Sequence, residues 1–370
     1  MSLTKDSRPI KVLVVDDSAF MRVVIKNLLN KDPDLEVIGV AIDGLDALEK
    51  VKELQPDVIT LDVEMPEMDG LEFLKEQMAL RPVKIVMVSS LTREGASITL
   101  EALSHGAIDF VAKPSGSLSL DMQKVASELC KKVKAAHKAR IHFAPERVNE
   151  IVEENRASSA YLARDRHLFT IKEDQPCKGH PTKVAEKLVI IGTSTGGPSA
   201  LMEVIPKLPK DLGAGVVVVQ HMPKGFTNSL ADRLNRASLL FVKEAEAGDK
   251  VLENQVLVAP GGFHMIMKND KTVTTNTDSP VHGVRPAIDV FVESAVKVYG
   301  ENIVGVILTG MGFDGARGMN IIKKNGGRTI AQDEETSVIY GMPRAVIDMG
   351  LADKIAPLNL VSTFIEELLQ

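Results

Sequence analysis

Tryptophan is absent from this chain and aromatic residues make up only 4% of it, which leaves no stacking platform for nucleic-acid bases. Cysteine occurs twice, at Cys130 and Cys177. The two are far apart and outside metal-ligand spacing, so neither a disulfide framework nor a zinc site is expected, and a reducing compartment is. Long apolar runs are also missing. The N-terminus mixes Lys5, Asp6 and Arg8 before the short run Val12 to Val15, which Asp16 and Asp17 interrupt; no signal peptide and no direct membrane insertion are expected, and the cytoplasm is. A basic excess is lacking as well. The net charge is −6, and no segment is basic enough to favour nucleic acid.

What is present is enough apolar sequence, 44% of 370 residues, to bury sizeable cores, and the length favours two domains. Residues 8 to 140 alternate short apolar runs with helical patterns: KVLVV, then SAFMRVVIKNLL; LEVIGVA, then ALEKVKEL; DVITL, then LEFLKEQMAL; KIVMVSS, then ITLEALSHG; DFVAK, then MQKVASELCKKVKAA. Such alternation implies a doubly wound five-stranded parallel sheet with helices on both faces. Residues 141 to 187 carry many charges and little sustained period and read as a mobile tether, with a short helix over NEIVEENR. His167, Cys177 and His180 in this stretch receive no catalytic role. Residues 188 to 370 repeat the alternation, as LVIIG, GVVVVQH, QVLVAPGG, HMIMK, an irregular TTNTDSPVHGVRP, IVGVILTG and RTIAQ with helices between and after them; this is a second doubly wound, mainly parallel α/β domain.

In both domains the polar residues that close strands are the candidates, because ligands gather at the carboxyl ends of parallel strands. In the first these are Asp16 and Asp17, Asp62, Ser89 and Ser90, and Lys113. Three converging carboxylates repel one another unless a cation sits among them, and hard oxygen ligands around a partly hydrated ion suit Mg²⁺. A metal-assisted phosphoryl acceptor would use Asp62, the central one, as nucleophile, with Ser89 and Lys113 holding the phosphoryl oxygens. Each aspartate taken singly reads better as a helix or turn cap; the whole set at matching strand ends favours the phosphoryl acceptor.

The second domain opens with LVIIGTSTGGPSAL, where a strand-type run stops at a glycine and Ser194 follows in a glycine-punctuated turn before Pro198 starts a helix. Gly192 to Gly196 fit G-x-S-x-G, a weak match in a chain with 27 glycines. No Gly-Lys-Ser/Thr follows, which disfavours a phosphate loop; a plain structural turn stays open on this stretch alone. His221 ends GVVVVQ, and Asp314 lies just past VILTG. An imidazole takes the serine proton and returns it to the leaving group, while a carboxylate fixes the imidazole tautomer. The order Ser, His, Asp differs from that of the α/β-hydrolases. Singly, His221 reads as a polar sheet-end residue and Asp314 as a turn or cap aspartate; their coincidence with Ser194 at three strand ends favours acyl transfer.

VDDSAFMR, PDVITLDVEMPEMDGLEF, KIVMVSSLT and GAIDFVAKP resemble the receiver domain of bacterial two-component response regulators. That resemblance implies phosphorylation of Asp62 by a histidine kinase, Mg²⁺ on Asp16, Asp17 and Asp62, Ser89 as switch hydroxyl, Phe110 as switch aromatic and Lys113 as the phosphate-reading lysine. GTSTGGP, QHMPKGFTNSLADRLN, VKEAEAGD, APGGFHM, VRPAIDVF, GVILTGMGFDGARGM and GMPRAV are similar to the catalytic domain of the chemotaxis receptor methylesterases. That resemblance implies a triad of Ser194, His221 and Asp314, with Thr195 shaping the nucleophile turn and Met311 near the oxyanion. It also implies hydrolysis of glutamate methyl esters and deamidation of glutamines on chemotaxis receptors, no cofactor in the esterase, and inhibition by the receiver until Asp62 is phosphorylated. A hydrolase of other esters and a regulator that only binds partners are the rivals; a DNA-binding regulator is disfavoured, since no basic recognition helix follows the first domain. Roles for His264, His282 and Arg285 are left open between substrate contact and loop hydrogen bonding.

Overall fold

The computed structural model of the chain describes residues 8–113, 119–140 and 180–370. The helix expected over NEIVEENR, with His167 and Cys177, lies outside the described residues.

In the N-terminal domain, β1 (Ile10–Val15), β2 (Leu35–Ala41), β3 (Val58–Asp62), β4 (Lys84–Ser89) and β5 (Asp109–Ala112) form a parallel sheet in the order β2-β1-β3-β4-β5. The apolar runs become central strands because both faces are covered: β3 is buried at every residue. The covering helices are α1 (Ala19–Leu29), α2 (Gly44–Leu54), α3 (Gly70–Leu80), α4 (Arg93–Ser104) and α5 (Ser119–Lys138). Their starts are fixed by side-chain caps, Ser18 on the Met21 N–H, Asp69 with Glu72 in a reciprocal capping box, and Thr92 on the Gly95 N–H.

The C-terminal domain holds a second parallel sheet, ordered β14-β13-β12-β6-β7-β9-β8. Its strands are β6 (Leu188–Thr193), β7 (Gly215–Gln220), β8 (Phe241–Glu244), β9 (Gln255–Val258), β12 (Ile303–Ile307), β13 (Arg328–Gln332) and β14 (Lys354–Ala356). A separate antiparallel pair, β10 (His264–Met267) and β11 (Val273–Asn276), sits apart from it. The helices are α6 (Gly197–Val204), α7 (Phe226–Ala237), α8 (Ile288–Tyr299), α9 (Ala316–Lys324), α10 (Met342–Asp348) and α11 (Val361–Leu369). β6 lies between β7 and β12, so the connections leave it in opposite directions, and the crevice that such a reversal opens falls where β6, β7 and β12 end.

Three features depart from expectation. Strands β8 and β14 were not foreseen, and the stretch read as irregular from Thr274 begins as β11. Before β6, Val184 already bridges to Leu252, and the Ala185 and Glu253 N–H groups bond Val251 and Lys183 carbonyls across the same seam. Residues from Lys183 onward thus pack on the C-terminal domain rather than belonging to a tether.

The two domains share a buried face. One continuous apolar cluster runs from the N-terminal helix α4, through Leu100 and Leu103, into Leu201 and Leu230 of the second domain. Ser199 donates to the Leu103 carbonyl at 3.0 Å and Arg233 to Ser104 Oγ at 2.8 Å.

Candidate active site

At the carboxyl edge of the first sheet, single oxygens from Asp16, Asp17 and Asp62 lie within 4.8 Å of one another. Gly70 lets α3 begin against this edge, since a Cβ there would stand 1.9 Å from the Asp62 carbonyl oxygen. Lys113 Nζ lies 2.5 Å from Asp62 Oδ2 and 3.2 Å from Asp16 Oδ2. Burial pushes the Asp62 carboxyl up to about 6, against the opposing pull of Lys113. Burial would lower the Lys113 ammonium, but Asp62 and Asp16 outweigh it and hold it above its ordinary value. Asp16 Oδ2 is buried, and its one polar contact among the described residues is the 3.2 Å approach of Lys113 Nζ. Three clustered carboxylates beside a single ammonium are the donor set a hard, oxygen-loving divalent cation completes, so these residues fit Mg²⁺.

The other expected members of this site are placed differently. Ser89 is buried and its hydroxyl faces the start of α4, 3.2 Å from the Gly95 carbonyl and 3.3 Å from that of Ser90; Ser90 lines the cleft beside Asp17, Asp62 and Lys113. Phe110 is turned into the domain interface. Its ring stacks on Phe226 of α7 with centroids 4.4 Å apart and planes 21° from parallel.

At the carboxyl edge of the second sheet, the turn after β6 is pinned from both neighbouring strands. The Ser194 N–H donates to the Thr309 carbonyl at 3.0 Å, and Gln220 Nε2 donates to the Ser194 carbonyl at 3.0 Å and the His221 carbonyl at 3.1 Å. Thr309 Oγ1 donates to the Thr195 carbonyl at 2.9 Å. Two glycines make the close approach feasible. Gly196 has φ +78°, and a Cβ at Gly310 would lie 2.8 Å from Ser194 Cβ. The Thr195 and Met311 N–H groups find no acceptor among the described residues.

His221 Nε2 lies 2.7 Å from Asp314 Oδ2. Asp314 is buried and also accepts the N–H groups of Ile288 at 2.7 Å and Asp289 at 3.1 Å. Burial alone would raise its carboxyl; the His221 contact and those N–H donors prevail and hold it below the usual carboxylate value. The ring nitrogen that meets the carboxylate is Nε2. No hydrogen bond joins Ser194 Oγ to His221 among the described residues. The hydroxyl of Thr195 instead donates to the carboxylate of Asp109, on β5 of the other domain. Asp109 is held in turn by Lys132 at 3.1 Å, whose Nζ also donates to the Phe110 carbonyl at 2.6 Å.

His264 is buried and bonds the Ser279 carbonyl at 3.1 Å, and Arg285 donates to the carbonyls of Thr277 at 2.7 Å and Asp278 at 2.8 Å. Both brace the loop that follows β11. His282 lies beside Asp314 and bonds Asp289.

A phosphoacceptor-type sheet docked over a hydrolase-type sheet defines the class of response-regulator enzymes. The family description "response regulator receiver domain" matches residues 12–123, and "CheB methylesterase" matches residues 189–365. Curated proteins named protein-glutamate methylesterase/protein-glutamine glutaminase are similar over nearly the whole length. That of Symbiobacterium thermophilum is 53% identical over 96% of both chains. That of Pyrococcus horikoshii is 47% identical over 96% of this chain and 92% of its own. That of Thermotoga maritima is 46% identical over 95% of this chain and 96% of its own. The chain belongs to the protein-glutamate methylesterase/protein-glutamine glutaminase family.

Several site residues went unnoticed in the sequence: Gln220, Thr309, Asp289, Asp109 and Phe226. Gln220 and Thr309 each follow an apolar run and carried the signal that found His221. Asp109 and Phe226 carried none, since each acts across the domain boundary.

Proposed function

We propose that the chain hydrolyses glutamate methyl esters on chemotaxis receptors, and deamidates receptor glutamines, under control of phosphorylation at Asp62. Residues 188–370, with the packed lead-in from Lys183, carry the chemistry, 8–140 the control, and the stretch between 140 and Lys183 connects them. The observation that carries this is the 2.7 Å contact of His221 Nε2 with a buried Asp314, beside the tightly pinned Ser194 turn.

In the proposed reaction Ser194 Oγ attacks the ester carbonyl carbon as His221 Nδ1 takes its proton. The carbonyl oxygen becomes an oxyanion, for which the unengaged Thr195 and Met311 N–H groups are suitable donors. Collapse returns the proton from His221 to the methoxy oxygen, methanol leaves, and an acyl-enzyme remains. Water, deprotonated by the same nitrogen, then attacks the acyl carbon; the bond to Ser194 Oγ breaks, the proton passes from His221 to Oγ, and glutamate is released. For glutamine the leaving group is ammonia. The side chains supply nucleophile, base and orienting carboxylate, so the esterase is proposed to need no cofactor.

Control is proposed to act through the shared face. With Asp62 unmodified, Asp109 engages Thr195, the residue next to the nucleophile, and Phe110 stacks on Phe226; both contacts favour a receiver seated over the cleft. A histidine kinase would supply the phosphoryl group. Asp16, Asp17 and Asp62 would hold Mg²⁺, which when bound neutralises charge around the phosphoryl oxygens. Lys113 and a reoriented Ser89 would take up those oxygens, and the movement of β5 that follows would weaken the seat of Phe110. No described helix is long and apolar enough to cross a membrane; the chain is proposed to act in the cytoplasm on the cytoplasmic part of its receptors.

The test is methanol release from methylated receptor membranes with and without a phosphoryl donor. Release that rises with the donor, and does not rise in Asp62→Asn, is expected. An intact, folded protein that releases no methanol under either condition would sink the proposal.

A further inference from the structure

We propose that His282 and Asp289 are positioning residues for the triad carboxylate, forming a second histidine–aspartate pair behind the first. This rests on the reading of Ser194, His221 and Asp314 as a triad.

The two aspartates lock each other in place. The Asp289 N–H donates to Asp314 Oδ1 at 3.1 Å, while Asp289 Oδ1 accepts the N–H groups of Gly315 at 3.0 Å and Gly318 at 2.7 Å. Asp289 therefore caps the helix that starts directly after Asp314, and does so from the first turn of α8, where a negative charge is favoured. Its side chain is 1% exposed. The remaining oxygen, Oδ2, is met by His282 Nε2 at 2.8 Å, and the same nitrogen stands 3.8 Å from Asp314 Oδ1. The imidazole is thus wedged between two buried carboxylates. Phe313 covers it edge to face, with ring centroids 4.8 Å apart.

The backbone singles out His282 as well. Val281 and Val284 exchange backbone hydrogen bonds around a two-residue turn in which His282 has φ +56° and Gly283 φ +80°. Glycine or asparagine occupies such a position at least cost. A histidine held there, with its one described hydrogen bond on the carboxylate that caps the Asp314 loop, fits a requirement of the site better than one of the turn. Without the His282 N–H, Asp289 loses a donor, and the loop that aims Asp314 at His221 loosens. The expected signature is a loss in kcat with KM unchanged.

The experiment uses the intact protein with a phosphoryl donor and methylated receptor membranes. His282→Ala and Asp289→Asn should lower kcat about 10-fold each at constant KM, and His282→Gln, which keeps a side-chain N–H, should recover most of it. A purely structural role would not give the second signature. In the Asp314→Asn background, His282→Ala should leave the rate of Ser194 labelling by a fluorophosphonate unchanged, because the carboxylate it positions is gone. Unaltered kcat in His282→Ala, no recovery by His282→Gln, or a further fall in labelling in the Asp314→Asn background would each overturn the proposal. Should Ser194→Ala retain methanol release, the triad itself fails, and that outcome is separate from these.

Discussion

At the edge of the first sheet, Asp16, Asp62 and Lys113 meet as charges at 2.5 to 3.2 Å. At the edge of the second, Ser194 and the His221–Asp314 pair are held by hydrogen bonds from uncharged groups, Thr309 and Gln220 on the serine turn and the Ile288 and Asp289 N–H groups on the carboxylate. Both sites lie where strand order reverses in a parallel sheet. They differ in what fixes them. The first is a set of carboxylates whose mutual repulsion a cation and a phosphoryl group can rearrange, so it is suited to switching. The second is pinned from behind by hydrogen bonds, as the proposed nucleophile and base require. In the proposed function, the face between the domains is where one sort of site acts on the other.

Removal of the nucleophile tests the rigid site hardest. Ser194→Ala should lower kcat on the order of 10⁶-fold, and Asp314→Asn about 10⁴-fold, with the fold intact. Methanol release measured alongside thermal melting checks both. A Ser194→Ala protein with near-normal turnover would end the serine mechanism.

The switchable site should give a smaller effect. Asp62→Asn should keep basal activity and lose the whole increment produced by a phosphoryl donor, about 5-fold to 150-fold for a coupling of 1 to 3 kcal/mol. It should also take up no hydroxylamine-sensitive phosphate. Normal activation in this variant would move the phosphosite elsewhere.

How much of this could be read from the sequence follows from the same contrast. Asp16, Asp62, Lys113, Ser194, His221 and Asp314 each close or follow an apolar run, so strand periodicity alone located them. The central strands were equally plain, since β3, β6 and β7 are buried throughout and read as unbroken apolar runs. Strands β8 and β14 escaped because they are the edges of the larger sheet, with four residues and three, and half-polar sequences FVKE and KIA. β11 escaped because its threonines and asparagine match turn composition. Asp109 lay hidden inside the fifth strand, and its partner Thr195 is 86 residues away; no local pattern encodes a contact between two domains.

Within the interface, buried and exposed contacts should differ in effect. Phe110→Ala removes a stack worth about 0.5 to 1.5 kcal/mol beyond its buried area. Without a phosphoryl donor it should raise the rate on receptors roughly 2-fold to 12-fold. An unchanged basal rate in a folded Phe110→Ala protein would detach the aromatic from control.

The smallest effect is expected at the rim, where Arg93 of α4 meets Asp232 of α7 at 3.3 Å with side chains 81% and 50% exposed. An ion pair in that setting gains little, because water competes for both charges and two long side chains must be ordered to hold it; such pairs typically contribute about 0 to 1 kcal/mol. Arg93→Ala should therefore raise the basal rate less than about 5-fold. It should also make that rate less sensitive to salt, since added salt shortens the Debye length from roughly 8 Å at physiological ionic strength to about 3 Å at 1 M and weakens the exposed pair only in the parent protein. Basal methanol release from receptor membranes, followed from low to high salt in both proteins, tests this. The two curves should converge as salt rises. Activation in Arg93→Ala that matched or exceeded that of Phe110→Ala, or that persisted undiminished at high salt, would mean that the receiver is held by its charged rim rather than by the contacts that bring β5 against the nucleophile turn.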